Sequence, residues 1–290
     1  MKARSVRFLI PGMDTSDGAG VRLKRSLGQS QQARLDPFLM LDEFSSDDAA
    51  DYIAGFPEHP HRGFETVTYI LDGHMLHEDH LGNRGDLKAG GVQWMTAGRG
   101  IIHSEMPQQK EGRMRGFQLW LNLPAKEKMK PAGYRDIPAS EIPVASLGGG
   151  GEVKLIAGTL ALEDGAVHGP MNSPDERLST DPIYADVELR ANSACHLPVP
   201  ATHNAFIYVF EGSLTIAGRK VDTHAAAILG DGDILAPEAG GQGARFLLIA
   251  GKPINEPVVQ YGPFVMNSVE EIEQALQDYR AGRLVETAAP

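Results

Sequence analysis

Two stretches of the chain share one pattern of apolar and polar positions. Glu65–Gly73 and Asn204–Gly212 are both rich in apolar, β-branched and aromatic residues, and both end in an acidic residue followed by glycine. This pattern is typical of a strand that enters a tight turn. A glycine-rich stretch lies downstream of each copy, at residues 90–100 and 230–243. Two copies of one β unit predict two similar β domains.

Four consecutive glycines, Gly148–Gly151, lie between the two copies. A glycine run packs no side chains and loses much backbone entropy when it is ordered, which is typical of a linker. We therefore predict a domain boundary at this run, with an N-terminal domain over residues 1–147 and a C-terminal domain over residues 152–290.

The end of the chain has a pattern that predicts one short helix. Ser268 and Glu271 have the spacing of a capping box, in which each side chain accepts a bond from the other residue's backbone N–H. Gly282 is the glycine that commonly follows a helix C-terminus. Apolar residues recur between them at helical spacing and predict a stripe that packs on a β domain: Val269, Ile272, Leu276 and Tyr279.

Composition and charge narrow the class of protein. The 290 residues are 42% apolar and 22% charged, and 33 Gly and 19 Pro are spread along the chain, which favours many short strands joined by turns. A net charge of −11 opposes a broad nucleic-acid-binding face. The single cysteine, Cys195, excludes an internal disulfide and a Cys-rich zinc site.

Membrane association is not predicted. No apolar run approaches the roughly 20 residues of a membrane-spanning helix. The first apolar stretch is also too short for the core of a signal peptide. We therefore expect a cytoplasmic protein, and a monomer is the default expectation.

The residues that can carry chemistry are concentrated in one region, since six of the ten histidines lie between residues 59 and 103. His59 and His61 flank Pro60, which favours an extended backbone. Alternate side chains of an extended segment point to the same face. Two residues span roughly 6–7 Å along a strand. The two imidazoles can therefore converge on one ion, each at about 2.0–2.2 Å.

A second pair, His103 and Glu105, also alternates and therefore shares a face. A β-barrel can bring this strand beside the first pair, which places three neutral imidazoles and one carboxylate together. Such a donor set suits a first-row divalent ion and leaves coordination positions open. We therefore predict that one divalent transition-metal ion is bound by His59, His61, His103 and Glu105.

The second copy of the β unit serves as an internal comparison. Aligned on the strand and turn pattern, it has no ligand-type residue at the four positions, which are Pro198, Pro200, Ala244 and Phe246. Histidines that merely stabilised a barrel would have no obvious reason to be absent from one copy. We therefore predict a metal site in the N-terminal domain and a metal-free C-terminal domain.

Two further groups could contribute to such a site. Glu65 is separated from His59 and His61 by an even number of positions, so on an extended strand its side chain would lie on their face and could also reach the ion. The second pair, however, already offers a carboxylate. A second histidine cluster lies downstream, at His74, His77 and His80. Its mixed parity and the Gly82-Asn83 turn beside it favour an exposed hairpin end.

Six segments carry a resemblance to known proteins: 36–44 (DPFLMLDEF), 59–67 (HPHRGFETV), 93–107 (QWMTAGRGIIHSEMP), 115–120 (RGFQLW), 198–206 (PVPATHNAF) and 262–267 (GPFVMN). Together they resemble the pirin family of the cupin superfamily over nearly the whole chain. Gly98 stands where the general cupin pattern has proline, a departure that is typical of pirins.

The resemblance implies an all-β fold of two antiparallel, jelly-roll-like cupin barrels packed face to face, to which the predicted C-terminal helix is added. It also implies one metal ion in the N-terminal barrel. By matching position, the ligands would be His59, His61, His103 and Glu105. Fe(II) is the ion usually proposed for the family, and Ni, Cu, Mn or Zn are also compatible.

The resemblance implies two different kinds of activity. Some members act as quercetin 2,3-dioxygenases on a small phenolic substrate with O₂. Glu105 would then accept the proton of the substrate hydroxyl. Phe56, Phe64 and Gln118 lie close to the motifs in sequence, so they would line the pocket or support the metal ligands. Other members are non-enzymatic regulators that bind protein partners in transcription or metabolism. The sequence leaves both activities open.

Overall fold

The computed structural model of the protein describes residues 2–285. The last five residues of the predicted C-terminal domain, 286–290, lie outside the described residues. In chain order the strands are β1 (Val6–Pro11), β2 (Met13–Asp17), β3 (Val21–Arg25), β4 (Phe38–Ser46), β5 (Phe56–His61), β6 (Phe64–Asp72), β7 (His74–Asp79), β8 (Arg84–Lys88), β9 (Val92–Thr96), β10 (Ile101–Pro107), β11 (Met114–Asn122), β12 (Gly133–Ile137), β13 (Val144–Leu147), β14 (Gly151–Ala157), β15 (Thr159–Leu162), β16 (Gly165–His168), β17 (Ile183–Leu189), β18 (Leu197–Pro198), β19 (Asn204–Ile216), β20 (Arg219–Asp222), β21 (Ala225–Leu229), β22 (Ile234–Leu235), β23 (Pro237–Gly251), β24 (Val259–Tyr261) and β25 (Phe264–Met266). One α-helix, α1, spans Val269–Arg280, and short 3₁₀ turns span Ala49–Asp51, Ala125–Glu127 and Ala139–Glu141.

The strands form two compact units. The N-terminal unit comprises residues 14–25, 38–139 and 254–285. It contains a seven-stranded sheet in the order β12-β9-β6-β11-β4-β3-β2 and a four-stranded sheet in the order β5-β10-β7-β8. Neighbouring strands in both sheets for which the register is resolved are antiparallel, as expected for a meandering all-β domain.

The C-terminal unit comprises residues 2–13, 26–37 and 140–253. Its main sheet has the order β1-β21-β19-β23-β17-β14-β13, with β20 paired to β19. The unit is filled by one continuous apolar cluster that includes Val187, Ile207 and Phe246. Phe246 is one of the residues that the sequence comparison places at a ligand position, and its side chain is fully buried in this core.

The glycine run that predicts a domain boundary has a different role in the structure. Gly148–Gly151 lies at the turn of an antiparallel hairpin between β13 and β14, inside the C-terminal unit. Gly149 and Gly150 have φ angles of 91° and 105°, which side chains rarely tolerate, and they lie in the three-residue hairpin loop between the paired Leu147 and Gly151. The run is therefore a turn within one sheet, and the prediction of a linker at this position is wrong.

The predicted helix is confirmed, together with both reciprocal bonds of its capping box and a left-handed Gly282 after its end. The structure places it in the N-terminal unit, whereas the contiguous division 152–290 groups it with the second domain. Its buried residues, Ile272 and Ala275, pack with Phe264 and Met266 of β25. The buried Arg62 side chain also donates to Asp278 Oδ2 on the helix at 2.8 Å.

No helix within residues 2–285 is both long and apolar enough to cross a bilayer. The one α-helix has only 12 residues, and just two of them are buried.

Candidate metal centre

Three imidazoles converge where β5 and β10 pair. His103 lies directly opposite His59 in the antiparallel register, and His61 lies opposite Ile101. The ring centroids are 4.4 Å apart for His59 and His103, 4.7 Å for His59 and His61, and 5.0 Å for His61 and His103. One nitrogen from each ring lies within 4.8 Å of the other two. In the part of the chain that the structure describes, this is the one group of three or more histidine, cysteine or acidic side chains close enough to share an ion.

The local sequence explains this convergence. Pro60 separates two histidines on an extended strand, so both rings leave the same face of β5. The antiparallel pairing with β10 then brings in the third ring. His61 and His103 are buried, with exposed fractions of 3% and 1%, whereas His59 is half-buried at the edge of the group.

The hydrogen bonding of these rings fits a metal ion. His59 Nδ1 lies 2.8 Å from the Pro57 carbonyl oxygen, which can only accept, so Nδ1 carries the proton and Nε2 keeps a free lone pair. The Nε2 of His103 is buried and makes no hydrogen bond, and neither nitrogen of the buried His61 makes a well-formed one, although the Pro263 backbone lies close enough to act on this ring. Buried polar atoms nearly always have a partner. An ion bound to one lone pair of each ring would be that partner for one nitrogen of His61 and for Nε2 of His103.

The protonation state of the buried rings also suits metal binding. Burial holds the pKa of His61 and of His103 well below the usual value of 6.5, and the neighbouring imidazoles lower both further. Both rings are therefore neutral at pH 7. The neutral imidazole, with a lone pair available, is the form that ligates metals.

Glu105 lies beside the three imidazoles, and its carboxylate falls outside the group whose ligand atoms lie within 4.8 Å of each other. The register between β10 and β5 shifts here, with three steps along β5 from His59 to Phe56 against two along β10, whereas β10 itself keeps its alternation and buries both His103 and Glu105. Glu105 Oε1 lies 2.9 Å from Thr68 Oγ1, and Oε2 accepts from Gln118 Nε2 at 3.2 Å. The predicted role of Glu105 as a fourth ligand therefore stays a prediction.

The alternative carboxylate, Glu65, faces a different set of partners. Its oxygens accept from Thr96 Oγ1 at 2.7 Å, Trp94 Nε1 at 3.2 Å and Lys130 Nζ at 3.4 Å. These bonds hold the Glu65 side chain among strand β9 and the segment after β11. The carboxylate is thus fully engaged away from the imidazole group.

The three residues predicted to surround the site do lie near it. Phe56 is opposite Glu105 in the β5–β10 register. Phe64 packs edge-to-face against His61 with ring centroids 5.1 Å apart. Gln118 contacts Glu105 directly. A residue that the prediction did not include, Trp120, also packs edge-to-face on His61, at 5.4 Å.

His77 is the principal residue that the sequence interpretation missed. Its exposed fraction is only 2%, so the expectation of an exposed hairpin end fails for it, while His74 and His80 are only half-buried. Its Nδ1 lies 3.3 Å from Nδ1 of His103. The apolar pair Met75-Leu76, both buried, precedes it and was the signal in the sequence that this strand enters the interior.

Comparisons with known proteins agree with this architecture. The Pirin family model matches residues 20–121, and the model for the Pirin C-terminal cupin domain matches residues 184–285. A Pseudomonas aeruginosa protein named as a candidate quercetin 2,3-dioxygenase is 56% identical over 288 residues, which cover 97% of this chain and 98% of that protein. Human pirin is 40% identical over 284 residues, which cover 96% of this chain and 93% of pirin.

A solved structure shares the fold along nearly the whole chain. The crystal structure of a quercetin 2,3-dioxygenase from Acinetobacter baumannii superposes with a TM-score of 0.87 at 31% identity, covering 97% of this chain and 98% of that one. The predicted all-β fold with two cupin domains and a short C-terminal helix is confirmed. On the matches to both family models, the chain belongs to the pirin family of the cupin superfamily.

Proposed function

We propose that this protein is a metal-dependent dioxygenase of the quercetin 2,3-dioxygenase type. The observation that carries the proposal is the set of buried, unpartnered imidazole nitrogens on His61 and His103, which converge with His59. The relatives whose names refer to quercetin 2,3-dioxygenase support the choice of reaction.

The donor set limits the metal to a class of ions. Three imidazole nitrogens, with the carboxylate of Glu105 as the proposed fourth ligand, suit first-row divalent metals. Fe(II) is the ion that we propose, and Ni, Cu, Mn or Zn satisfy the same donors. When bound, the ion would supply a Lewis acid with open coordination positions.

A pocket for a flat phenolic substrate is supported by the sheet beside the imidazoles. Gln118 and Trp120 alternate on β11 and therefore share the face that meets Glu105 and His61. Both side chains are half-buried, as is His59, so solvent reaches this face beside the imidazole group. Trp120 stacks on Phe64 at 4.4 Å and offers an aromatic surface next to His61. Aromatic walls with a few convergent polar groups are typical of small-molecule sites.

Glu105 is the residue that we assign to proton transfer. Its bonds to Thr68 and Gln118 hold the carboxylate in one orientation and leave further lone pairs on both oxygens. A substrate hydroxyl that enters beside the imidazoles can transfer its proton to one of these oxygens, so Glu105 acts as a general base.

The activity is tested by loading metal-free protein separately with Fe(II), Ni(II), Cu(II) and Mn(II). We expect at least one form to consume O₂ and release carbon monoxide in step with quercetin loss. If all four metal-loaded forms leave quercetin unchanged, the enzymatic proposal is wrong. The alternative from the sequence, a metal-dependent regulator of protein partners, would then be tested by whether metal removal changes the proteins it captures.

Replacing Gln118 with leucine is expected to lower kcat with quercetin by about 10–100-fold while metal content stays near wild type. The substitution removes the Nε2 donor that orients Glu105, and supporting partners of this kind have effects of that size. The measurement is steady-state kinetics paired with elemental analysis of the same sample. The exposed Gln108 provides the matched control, Gln108→Leu, which should leave both values unchanged. An unchanged kcat in Gln118→Leu would contradict the assigned role.

A further inference from the structure

A fourth imidazole is buried beside the three that converge, and the proposed function does not use it. His77 lies on β7, which pairs with β10, and its backbone is directly opposite Glu105. Its ring centroid is 4.8 Å from that of His103 and 5.2 Å from that of Tyr134. It is not part of the group whose ligand atoms lie within 4.8 Å of one another among the described residues.

Among the described residues, the ring of His77 has one hydrogen-bonding contact, and that contact is with His103. Its Nδ1 meets Nδ1 of His103 at 3.3 Å. Its Nε2 is buried and makes no hydrogen bond. The hydrogen bond with His103 is therefore the contact that offsets the free-energy cost of burying the two polar nitrogens of this ring. Gly85 lies opposite His77 on β8, and the space that a side chain there would fill is taken by the Asp136 carboxylate, which accepts a hydrogen bond from Gln93 Nε2 and none from His77.

The geometry of the contact determines which nitrogen of His103 is available to a ligand. A neutral imidazole has one N–H donor and one acceptor nitrogen. If His103 binds an ion through Nε2, its proton must be on Nδ1, and Nδ1–H then donates to Nδ1 of His77. His77 accordingly carries its own proton on Nε2. Histidine ligands generally donate their second N–H to an acceptor in this way, which fixes the tautomer and the ring orientation.

We propose that His77 is a positioning residue, which accepts a hydrogen bond from Nδ1–H of His103 and so directs His103 Nε2 toward the metal. A neutral imidazole takes here the place that a carboxylate or carbonyl group usually occupies behind a histidine ligand. This inference rests on the metal site of the proposed function, and it is independent of which reaction the site catalyses.

Two substitutions at His77 separate hydrogen bonding from packing. His77→Leu keeps an apolar side chain of similar bulk and removes the acceptor. His77→Asn places an amide oxygen where Nδ1 of the imidazole lies, and so restores an acceptor. His74→Leu, on the same strand but half-buried and bonded to Asp86, is the control. Circular dichroism and thermal melting establish that each variant is folded before metal is added.

The readouts are Zn(II) affinity, by competition with a chelator, and ¹⁵N NMR of the histidine rings in the Zn(II)-loaded protein. We expect His77→Leu to weaken binding by roughly 10–100-fold, the range for lost supporting partners, and His77→Asn to recover most of that loss. The NMR spectra should place the His103 proton on Nδ1 in the wild type, and this N–H should exchange faster with solvent in His77→Leu.

The outcomes distinguish the two proposals. Wild-type affinity in His77→Leu, equal losses in the Leu and Asn variants, or binding of His103 through Nδ1 would each overturn the role of His77 while the metal site stands. A wild-type protein that binds no Zn(II) would overturn the metal site and this inference with it. The expected affinity pattern in a protein that does not turn over quercetin would support the role of His77 and contradict the proposed reaction.

Discussion

Metal binding is expected to be lost when His103 is replaced with alanine. The substitution removes one of three imidazole donors and opens the centre of the group, since His103 is the ring within 5.0 Å of both of the others and of His77. Loss of a ligand should exceed the roughly 10–100-fold effect of losing a supporting partner. Elemental analysis after dialysis should give about one ion per wild-type chain and almost none in the variant.

Stability provides an independent measurement of the same change. Alanine also removes the contact of His103 Nδ1 with His77 and leaves a cavity, so His103→Ala should lower the melting temperature of the metal-free protein. An ion that binds only the folded state adds about 2.7 kcal/mol at 100 times its dissociation constant. Added metal should therefore raise the melting temperature of the wild type and leave that of His103→Ala unchanged.

A matched histidine controls for nonspecific binding. His168 is exposed in the C-terminal unit and contacts Thr159. His168→Ala should keep the wild-type metal content and the wild-type response of the melting temperature to metal. Equal metal content in His103→Ala and the wild type would mean that the three converging imidazoles are not the site.

The histidine pairs were predictable because their signal is local. A two-residue spacing on an extended strand dictates a common face, whichever strand lies beside it. The position of Glu105 relative to the imidazoles was not predictable to the same degree, since the register shift after His103 depends on how β10 pairs with β5. The burial of His77 had only a weak local signal, the apolar Met75 and Leu76 before it, because it depends on the pairing of β7 with β10, and β8 and β9 lie between these two strands in the chain.

Glycines illustrate the same difference between local and long-range information. The strand predicted from 65–73 is observed as β6, and Gly73 follows it in a left-handed conformation. In the second copy the same acidic-glycine pattern does not end the strand, because β19 continues through Gly212 to Ile216. A Cβ atom on Gly212 would lie 2.1 Å from the Gly243 carbonyl oxygen, so this glycine permits close approach of two strands at a bulge.

The two units could not be separated at one point of the sequence, because each unit is built from several separate stretches of the chain. Residues 254–285 pack in the N-terminal unit although they follow the second β unit in sequence. The contacts responsible are polar and specific: Arg62, next to His61, donates to Asp278 Oδ2 and to the Leu284 carbonyl oxygen. Such contacts link residues more than 200 positions apart, and no periodic pattern encodes them.

Replacing Lys128 with methionine is expected to lower the free energy of unfolding of the N-terminal unit by at least about 3 kcal/mol. Lys128 is 1% exposed, and its Nζ donates to Asn122 Oδ1 at 2.6 Å, to the Gly63 carbonyl oxygen at 2.7 Å and to the Val265 carbonyl oxygen at 2.9 Å. Methionine fills similar volume but leaves three buried acceptors unpaired, each at a cost of about 1–3 kcal/mol.

The protonation of Lys128 gives this prediction a pH dependence. Burial lowers the pKa of Lys128 to about 8 from its ordinary 10.5, so unfolding takes up a proton between these two values. Stability rises with pH wherever the unfolded state binds more protons. The wild type should therefore gain stability relative to Lys128→Met as pH rises from 8 to 10.5, and the difference should be flat between pH 6 and 7.

Urea unfolding at pH 7 is the direct measurement, with the exposed Lys126→Met as the matched control that should stay within about 0.5 kcal/mol of the wild type. A midpoint in Lys128→Met equal to that of the control would contradict the assigned role. The consequence should extend to the metal centre, because Gly63 is two residues from His61 and approaches β25 so closely that a Cβ atom would lie 2.0 Å from the Val265 carbonyl oxygen. A protein weakened at Lys128 should therefore bind metal less tightly although no ligand has been changed.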